Sequence, residues 1–303
     1  GHRPTVKGGY FPVPPVDSLH DLRGAMCDAM EEMGVPVEVH HHEVATAGQC
    51  EIGTKFSTLV ERADWVQIQK YCTWNVAHAY GKTATFMPKP IVGDNGSGMH
   101  VHQSLFKGAK TAFHDPKAEH ELSTTMLHYI GGLLKHAKGM CAVTNPLVNS
   151  YKRLVPGYEA PTYLTWGRTN RSALIRVPKV SPGHSVEATR VEVRCPDPTA
   201  NTYLAFAAML AAGLDGIEKG LKLTDPVEES LFEMTADRVA EKGIEELPGS
   251  LGAAIHAMEQ DEVIAEALGD HVYNHYLEAK REEWLEYKTQ VTEWERDRYL
   301  EAY

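Results

Sequence analysis

One short segment of the chain places two imidazoles and a hydroxyl along one side of a strand. Residues 98–104 read Gly-Met-His-Val-His-Gln-Ser. The alternation of a strand points His100, His102 and Ser104 to one side and the apolar side chains to the other. Imidazole nitrogens and hydroxyl oxygens bind metal ions and polar ligands, so this face is a candidate binding surface.

A second strand of this kind covers residues 190–194, Arg-Val-Glu-Val-Arg. Arg190, Glu192 and Arg194 face one way and the valines face the other. Carboxylates hold cations and guanidinium groups hold anions, so this face suits a divalent metal together with phosphate. An ion-paired face of an exposed sheet is the alternative.

A third segment, residues 37–43, ends in His-His-His-Glu, and alternation puts His41 and Glu43 on the same face. Glu51 follows on the next short strand. The segment lacks the HExxH spacing of a zinc protease helix, and a histidine triplet alone also occurs on ordinary surfaces. Joined to the other two strands, the set is mainly carboxylate, which favours Mg²⁺ or Mn²⁺ over structural zinc.

Arginines concentrate in the same part of the sequence as these ligands. They would repel one another unless an anion or carboxylates lay among them. The five that carry this argument are Arg153, Arg171, Arg176, Arg190 and Arg194.

Two irregular segments add candidates for substrate contact. Residues 94–98, Asp-Asn-Gly-Ser-Gly, form either an ordinary hairpin turn or a segment whose glycines allow close approach to a small substrate. Residues 145–170 are rich in proline and glycine and read as a long, partly mobile loop of the kind that forms lids. Glu159 on this loop is a candidate acid or base, or else a solvated loop glutamate.

Composition limits the class of protein. The chain has 303 residues and a formal net charge of -11, which argues against a nucleic-acid surface. Five cysteines without CxxC spacing favour reduced thiols in a cytoplasm. No apolar run of about 18 residues occurs, so we expect no membrane span, and no signal peptide is evident.

Hydrophobic periodicity predicts the elements that position these residues. Helices are predicted over 19–33 (capped by Asp17 or Ser18), 57–80, 122–142, 199–219 and from 250 onward. Strands are predicted over 37–43, through Glu51, 83–87, 98–104, 171–177 and 190–194. In the last helical region a stripe of apolar residues either docks on another subunit or packs on its own domain: Leu277, Trp284, Tyr287, Val291 and Trp294.

Taken in order, the motifs resemble those of type I glutamine synthetases. The similarity runs from Gly1 to about Ala212 and more loosely to the end. It rests on Lys7-Gly-Gly-Tyr-Phe-Pro, on His40-His-His-Glu-Val-Ala-Thr-Ala-Gly-Gln49, on Lys82-Thr-Ala-Thr-Phe-Met-Pro-Lys-Pro90, on Gly93-Asp-Asn-Gly-Ser-Gly-Met-His100, on Asn149-Ser-Tyr-Lys-Arg-Leu-Val-Pro-Gly-Tyr-Glu-Ala-Pro161 and on Arg190-Val-Glu-Val-Arg194.

The resemblance implies an ATP-dependent ligase that joins ammonia to L-glutamate through γ-glutamyl phosphate. By resemblance, Glu43 and Glu51 hold one of two or three Mg²⁺ or Mn²⁺ ions, and His100 and Glu192 hold another. Arg171 and Arg176 hold nucleotide phosphates. Arg153, Arg194, Asn95 and Gly96 position glutamate. Glu159 closes the site and accepts a proton from ammonium, and Glu38, Phe56, His102 and Ser104 line the ATP pocket.

One of these assignments conflicts with simple alternation. Strict alternation puts Glu38 on the face opposite Glu43, so its place in the ATP pocket requires a bulge or a different approach.

The fold implied by the resemblance is α+β, with a curved, mainly antiparallel sheet lining a funnel-shaped active site and helices packed outside. Residues 1–303 would form the catalytic domain, and the family's N-terminal β-grasp domain is expected to be absent. The resemblance further implies a cytoplasmic homododecamer of two hexameric rings, with neither nucleic acid nor membrane as a partner.

Other functions remain open. A γ-glutamyl ligase for another amine, such as putrescine, would share the fold and the metal ligands. A non-catalytic relative would bind glutamate or a nucleotide as a sensor. A guanidino kinase-like enzyme would need neither Glu159 nor the turn at 94–98.

Overall fold

The computed structural model describes residues 7–181 and 183–302. Helices are the main regular elements of the described chain, and the longer ones follow the predicted hydrophobic periods. They are α1 (His20–Glu32), α2 (Leu59–Ala79), α3 (Thr124–Lys135), α4 (Ala137–Thr144), α5 (Ser150–Arg153), α6 (Ser185–Ala188), α7 (Thr202–Glu218), α8 (Ala236–Glu241), α9 (Leu251–Glu259), α10 (Glu262–Lys288) and α11 (Glu293–Tyr299), with a 3₁₀ turn at Glu119–Glu121.

The strands are short and form three separate sheets within the described residues. They are β1 (Val37–His42), β2 (Cys50–Thr54), β3 (Val101–Gln103), β4 (Phe106–Lys107), β5 (Lys110–Thr111), β6 (Trp166–Gly167), β7 (Ile175–Arg176) and β8 (Val191–Val193). β1 pairs with β2, β4 pairs with β5, and the four-stranded sheet has the order β3-β8-β7-β6. The α+β class is confirmed. Pairing is antiparallel except between β6 and β7, and the strands do not form one continuous sheet.

The main hydrophobic core lies between the helices α3, α4, α7 and α9 and the back of the four-stranded sheet. Val191 and Val193 are fully buried there, so the intervening Glu192 points to the other face of β8. Helices α3 and α7 approach so closely that a Cβ on Gly132 or on Gly216 would collide with the backbone of the opposite helix. Small residues at this crossing are therefore a packing requirement.

A second, smaller layer packs α1 and α2 on the β1–β2 hairpin, around Met30 and Cys72. The predicted cap of α1 is wrong, because the helix begins at His20 and its N-cap residue is Leu19. The Asp17 carboxylate instead forms a buried ion pair with Arg23 and accepts a hydrogen bond from Leu19 N–H. Charge pairing in the interior thus outweighs the local capping preference.

Other predicted elements differ from the structure where tertiary contacts compete with local patterns. Residues 83–87 are irregular, because no strand among the described residues pairs with them and two prolines follow. The helix predicted over 122–142 divides into α3 and α4 at His136, whose imidazole is bound by Asp215 and Asp261. The loop predicted over 145–170 contains α5 and β6.

The apolar stripe near the C-terminus divides between two environments. Leu277 is buried, and Trp284 packs against the main core beside Gly252. Val291 and Trp294 are 69% and 61% exposed. Packing on its own domain therefore accounts for the first half of the stripe, and docking on another subunit stays a prediction for the second half. Among the described helices, none combines the length and apolar character that a membrane crossing needs.

Candidate active site

The β1–β2 hairpin brings together His41, Glu43 and Glu51. His41 is paired with Glu51 across the two strands, and Glu43 N–H donates to Gln49 O where the hairpin closes. One ligand atom from each of the three lies within 4.8 Å of the others. His41 Nδ1 is 3.8 Å from a Glu43 oxygen, and His41 Nε2 is 3.6 Å from a Glu51 oxygen.

These two carboxylates are poorly neutralised. Among the described residues, His41 is the only basic side chain in ion-pair range of either one. Burial raises the pKa of the Glu43 carboxyl; the Val44 N–H lowers it, and repulsion from Glu51 raises it again. The donor set of one imidazole and two carboxylates fits a hard divalent cation such as Mg²⁺ or Mn²⁺.

The polar face of β8 is built around Glu192, which is 2% exposed. Its Oε1 accepts a 2.8 Å hydrogen bond from Arg194 and lies 3.2 Å from His100 Nδ1. Arg176 Nε is 3.0 Å from Oε2, but this oxygen receives no aligned hydrogen bond from the described residues. Each oxygen of Glu192 therefore lies beside a guanidinium group, and Oε2 is the one that lacks an aligned hydrogen bond from the described residues.

Electrostatics keep Glu192 ionised. Burial raises its pKa, but the contacts with His100 and Arg194 outweigh burial and lower the pKa to about 2. Burial lowers the pKa of His100 in spite of its contact with Glu192. A neutral imidazole with a third of its side chain exposed is available as a metal ligand.

Arg190 and His102 extend this polar face towards Glu38. Arg190 Nε donates to His102 Nδ1 at 3.0 Å. The register of β1 against β2 shifts between Val37 and Val39, which makes Glu38 the extra residue of a bulge. The Glu38 charge acts on the Arg190 guanidinium, so Glu38 lies near the site as the bulge allows.

Arg171 links the hairpin cluster to the β8 cluster. Its pKa is raised, first by the hydrogen bond with Tyr10 and further by the negative charges of Glu192 and Glu43. Tyr10 also lies edge-on to the His41 ring, at 5.8 Å between ring centroids. The exposed Arg171 guanidinium thus lies within electrostatic range of a carboxylate from each cluster.

The turn at 94–98 is fixed from two sides. The Asp94 carboxylate accepts from Thr46 N–H and Oγ1, and Gly96 O accepts from Gln49 Nε2 at 2.8 Å. A Cβ on Gly96 would collide with Pro88 O and the Arg153 side chain. The glycine is therefore required by the close approach of neighbouring chain segments.

The Arg153 guanidinium is buried and bound to backbone carbonyl oxygens. Arg153 is 4% exposed, and its guanidinium donates to the carbonyl oxygens of Cys195 at 2.7 Å and Arg194 at 3.2 Å. Arg153 therefore anchors the end of β8 behind the turn. The buried Asn95 Oδ1 has no hydrogen-bond partner among the described residues, so this acceptor remains open for a ligand.

Glu159 lies in the left-handed region, with φ of 62°, and its side chain is exposed. The preceding Tyr158 ring lies under the Lys89 ammonium, 3.6 Å from its centroid. Lys7 Nζ donates to Gly157 O at 3.0 Å. The segment that carries Glu159 is thus held at its base while the carboxylate itself is free to reach a ligand.

The residues predicted to line an ATP pocket differ in exposure and in their hydrogen-bond partners. Phe56 is 72% exposed and pairs with Phe106 at 5.4 Å between ring centroids. Ser104 Oγ contacts Thr111 Oγ1 and donates to the Thr189 carbonyl oxygen. Burial lowers the pKa of His102 to about 4, so this imidazole is neutral at physiological pH.

The structure thus groups the predicted metal ligands in two clusters linked by Arg171, with Arg176, Arg194, His102 and Glu38 around the second cluster. The site roles implied by the resemblance did not include His41, Arg190, Tyr10 or Lys89. Strand alternation had already placed His41 beside Glu43 and Arg190 beside Glu192. Tyr10 and Lys89 gave no signal beyond lying in matched motifs, because their roles depend on contacts between segments distant in sequence.

Comparison with known proteins places these features in a family. The family described as "Glutamine synthetase, catalytic domain" matches residues 1–299. A glutamine synthetase of Methylococcus capsulatus is 55% identical over 286 residues, covering 93% of this chain and 60% of the relative. One of Pseudomonas aeruginosa is 53% identical over 302 residues, covering 99% of this chain and 63% of the relative. The chain therefore spans a little over three fifths of these relatives.

Solved structures show the same fold. A GmaS/ADP complex superimposes with a TM-score of 0.86 at 36% identity, covering 98% of this chain and 67% of the other. A Plasmodium falciparum glutamine synthetase solved by electron cryomicroscopy gives a TM-score of 0.84 at 29% identity, covering 97% and 64% of the two chains. The family match, the sequence relatives and these structures agree, and the chain belongs to the glutamine synthetase catalytic-domain family.

Proposed function

We propose that the protein is a ligase that joins ammonia to the γ-carboxylate of L-glutamate, with ATP converted to ADP and phosphate through a γ-glutamyl phosphate intermediate. The observation that carries the proposal is that Arg171 donates to the Tyr10 hydroxyl beside His41 of the hairpin and lies within electrostatic range of both Glu43 and Glu192. Groups that can bind cations and groups that can bind anions therefore lie around the same site, as transfer of a phosphoryl group to a carboxylate requires. The family relationship supports the same reaction.

Two or three Mg²⁺ or Mn²⁺ ions would be held by Glu43 and Glu51 on the hairpin and by His100 and Glu192 at β8. When bound, these ions neutralise charge on the transferring phosphoryl group. His41 lies against both hairpin carboxylates and would orient them. The oxygen-rich donor set supports hard divalent ions and does not distinguish magnesium from manganese.

Arg171 and Arg176 would hold the phosphates of ATP and the charge that develops on the transferring group. Glu38, Phe56, His102 and Ser104 would line the rest of the nucleotide pocket. The related GmaS structure is a complex with ADP, which supports a nucleotide site in this fold. The aromatic pair of Phe56 and Phe106 offers an exposed surface on which a base can stack.

Arg194, Asn95, Gly96 and Arg153 would position glutamate beside the phosphates. Arg194 would bind a substrate carboxylate directly, and Arg153 would act from behind through the Arg194 and Cys195 carbonyls. Glu159 would fold over the bound substrate, exclude water from the acyl phosphate and accept a proton from ammonium.

We also propose the larger setting in which this site works. Residues 1–303 would act as the catalytic domain, with the antiparallel strands lining a funnel-shaped site. The protein would be a cytoplasmic dodecamer of two hexameric rings. The exposed Val291 and Trp294 support a contact between subunits near the C-terminus.

The test is phosphate release from ATP by the full-length protein with glutamate and Mg²⁺, varying only the amine. We expect release to require ammonium and to fall at least 100-fold in Glu159→Ala, by the general magnitude of acid–base catalysis. Glu282→Ala, on the exposed face of α10, is the matched control and should retain wild-type activity. Release with putrescine alone would reassign the amine, and no release with any amine would refute the ligase.

A further inference from the structure

Lys89 contacts two segments of the candidate site at once. Its ammonium lies 3.6 Å from the centroid of the Tyr158 ring and donates a hydrogen bond to the Asp94 carbonyl oxygen. The negative face of an aromatic ring attracts a cation, so both contacts are favourable together. Tyr158 directly precedes Glu159, and Asp94 directly precedes Asn95.

The backbone that carries Lys89 is itself anchored. Lys89 N–H donates to Asn149 Oδ1 at 2.8 Å, and Asn149 Nδ2 donates back to Lys89 O at 3.1 Å. The preceding Pro88 O accepts from Ser97 N–H at 2.8 Å. The stem of Lys89 thus starts from a fixed point, unlike that of an ordinary surface lysine.

Lys7 adds a second cation on the same ring. Lys7 Nζ lies 5.6 Å from the Tyr158 centroid while it donates to Gly157 O. Tyr158 is therefore held by ammonium groups from two different parts of the chain. These contacts act on the base of the segment 154–160, and no described residue binds the Glu159 carboxylate.

We infer that Lys89 is a positioning residue, which fixes the segment carrying Glu159 relative to the turn carrying Asn95 and Gly96. It acts through Tyr158 on one side and the Asp94 carbonyl on the other, and does not touch the reacting atoms. This inference rests on the proposed function, in which Glu159 closes over glutamate bound at that turn. A misplaced closing segment would admit water, which would hydrolyse the acyl phosphate.

The first test is Lys89→Met in the full-length protein, which removes the charge and keeps an apolar stem. We expect kcat to fall by about tenfold to a hundredfold, the usual cost of a small misplacement. The more specific readout is the ratio of glutamine formed to phosphate released, which should fall below one. Lys89→Arg should restore much of the ratio, since guanidinium also lies on aromatic faces and donates to carbonyls.

The partner is tested in the same way. Tyr158→Phe keeps the ring face and should behave as wild type, whereas Tyr158→Leu removes it and should match Lys89→Met. The matched control is Lys152→Met, because Lys152 Nζ lies 5.5 Å from the Tyr287 ring at a contact with α10. A ratio and kcat within twofold of wild type in Lys89→Met, or an equal loss in Lys152→Met, would overturn the inference.

Hydrogen exchange separates this inference from the proposed function. Without substrates, amides of residues 157–160 should exchange at least tenfold faster in Lys89→Met than in wild type, and amides of α7 should not change. Unchanged exchange at 157–160 would reject the positioning role. If wild type itself showed no ammonium-dependent phosphate release, the proposed function would fail, while faster exchange would still support the role of Lys89.

Discussion

Two groups of carboxylates face the candidate site, and they are neutralised in different ways. Glu43 and Glu51 on the β1–β2 hairpin have only the imidazole of His41 beside them in the described chain. Glu192 on β8 is ion-paired with Arg176 and Arg194. The hairpin cluster thus carries excess negative charge, whereas the single carboxylate at β8 is neutralised by guanidinium groups of the protein itself.

The two clusters should differ in how much their charges contribute to the free energy of unfolding. Two like charges about 5 Å apart repel by about 3 kcal/mol at the effective dielectric near a protein surface, and less where water screens them. Glu51 is half exposed, which reduces this cost. A divalent cation would convert the repulsion into attraction at the hairpin, whereas at β8 the arginines already perform this role. Binding of a divalent cation should therefore stabilise the hairpin more than β8.

The largest expected effect comes from removing the negative charge of Glu192 at β8. Glu192→Gln leaves Arg176 and Arg194 close together with no carboxylate between them. Removing one member of a buried ion pair typically costs about 3–5 kcal/mol, so the free energy of unfolding should fall by that amount. Urea unfolding in EDTA measures it.

A substitution at Glu43 on the hairpin should have a different effect on stability. Glu43→Gln in EDTA should not lower the free energy of unfolding, because it removes a repulsion with Glu51 rather than an attraction. If Glu43→Gln destabilised the metal-free protein as much as Glu192→Gln, the proposed difference between the two clusters would be wrong.

Adding metal should give the next largest effect. With Mg²⁺ at about 100 times its dissociation constant, a site that binds only the folded protein stabilises it by about 2.7 kcal/mol. Wild type should therefore show a higher melting temperature in MgCl2 than in EDTA. Glu43→Gln and Glu51→Gln should lose most of this increase, and Glu282→Gln should keep it. Equal increases in all variants would place the cation elsewhere.

A third charged cluster lies outside the site and extends the comparison to pH. His136 Nδ1 lies 2.8 Å from Asp261 and its Nε2 lies 3.0 Å from Asp215, which also contacts Lys135 and Lys219. Burial lowers the pKa of His136, but the two carboxylates outweigh it, and the pKa is raised overall. The folded protein therefore binds this proton more tightly than the unfolded chain does.

The raised pKa of His136 determines how the stability of the folded protein depends on pH. Stabilisation by His136 is fully present below the unfolded pKa of about 6.5 and is lost as the pH rises through the higher folded pKa. Wild type should lose stability over this window in urea unfolding. His136→Gln should be less stable at pH 6 and show a flatter profile. A wild-type profile that rose through this window would contradict the assignment.

The smallest effect is expected for an exposed pair. Arg281 donates to Glu259 through two nitrogens, but the Arg281 side chain is 58% exposed. Exposed pairs contribute about 0–1 kcal/mol, so Arg281→Gln should change the free energy of unfolding by less than about 1 kcal/mol. A loss as large as that of Glu192→Gln would show that burial does not control these energies here.

Particular elements show where prediction from sequence succeeded. Strands 37–43 and 190–194 were identified by alternation, and both present their polar residues together as predicted. The helix 199–219 was identified as buried, and α7 lies in the main core. These predictions succeeded because a two-residue or 3.6-residue period directly records which side of an element faces the core.

Other features depended on contacts that the sequence does not record. The Glu38 bulge reverses strict alternation, and the break at His136 follows from Asp215 and Asp261, about 80 and 125 residues away. Arg153 looked like the other arginines in the sequence, yet its guanidinium is buried and donates to the backbone carbonyls of Arg194 and Cys195. The prediction of a strand over residues 83–87 was wrong, because a strand needs a partner strand and local propensity does not supply one.

The amino-acid sequence is sufficient to identify the carboxylates, imidazoles and arginines of this protein, the strand faces that carry them, and the family to which the chain belongs. How each charge is compensated depends on tertiary contacts. Within the described residues, no guanidinium group forms an ion pair with Glu43 or Glu51, two do so with Glu192, and Lys89 connects Tyr158 to Asp94. Periodicity fixes the direction of a side chain within its own element, whereas the charge beside it comes from elements distant in the chain.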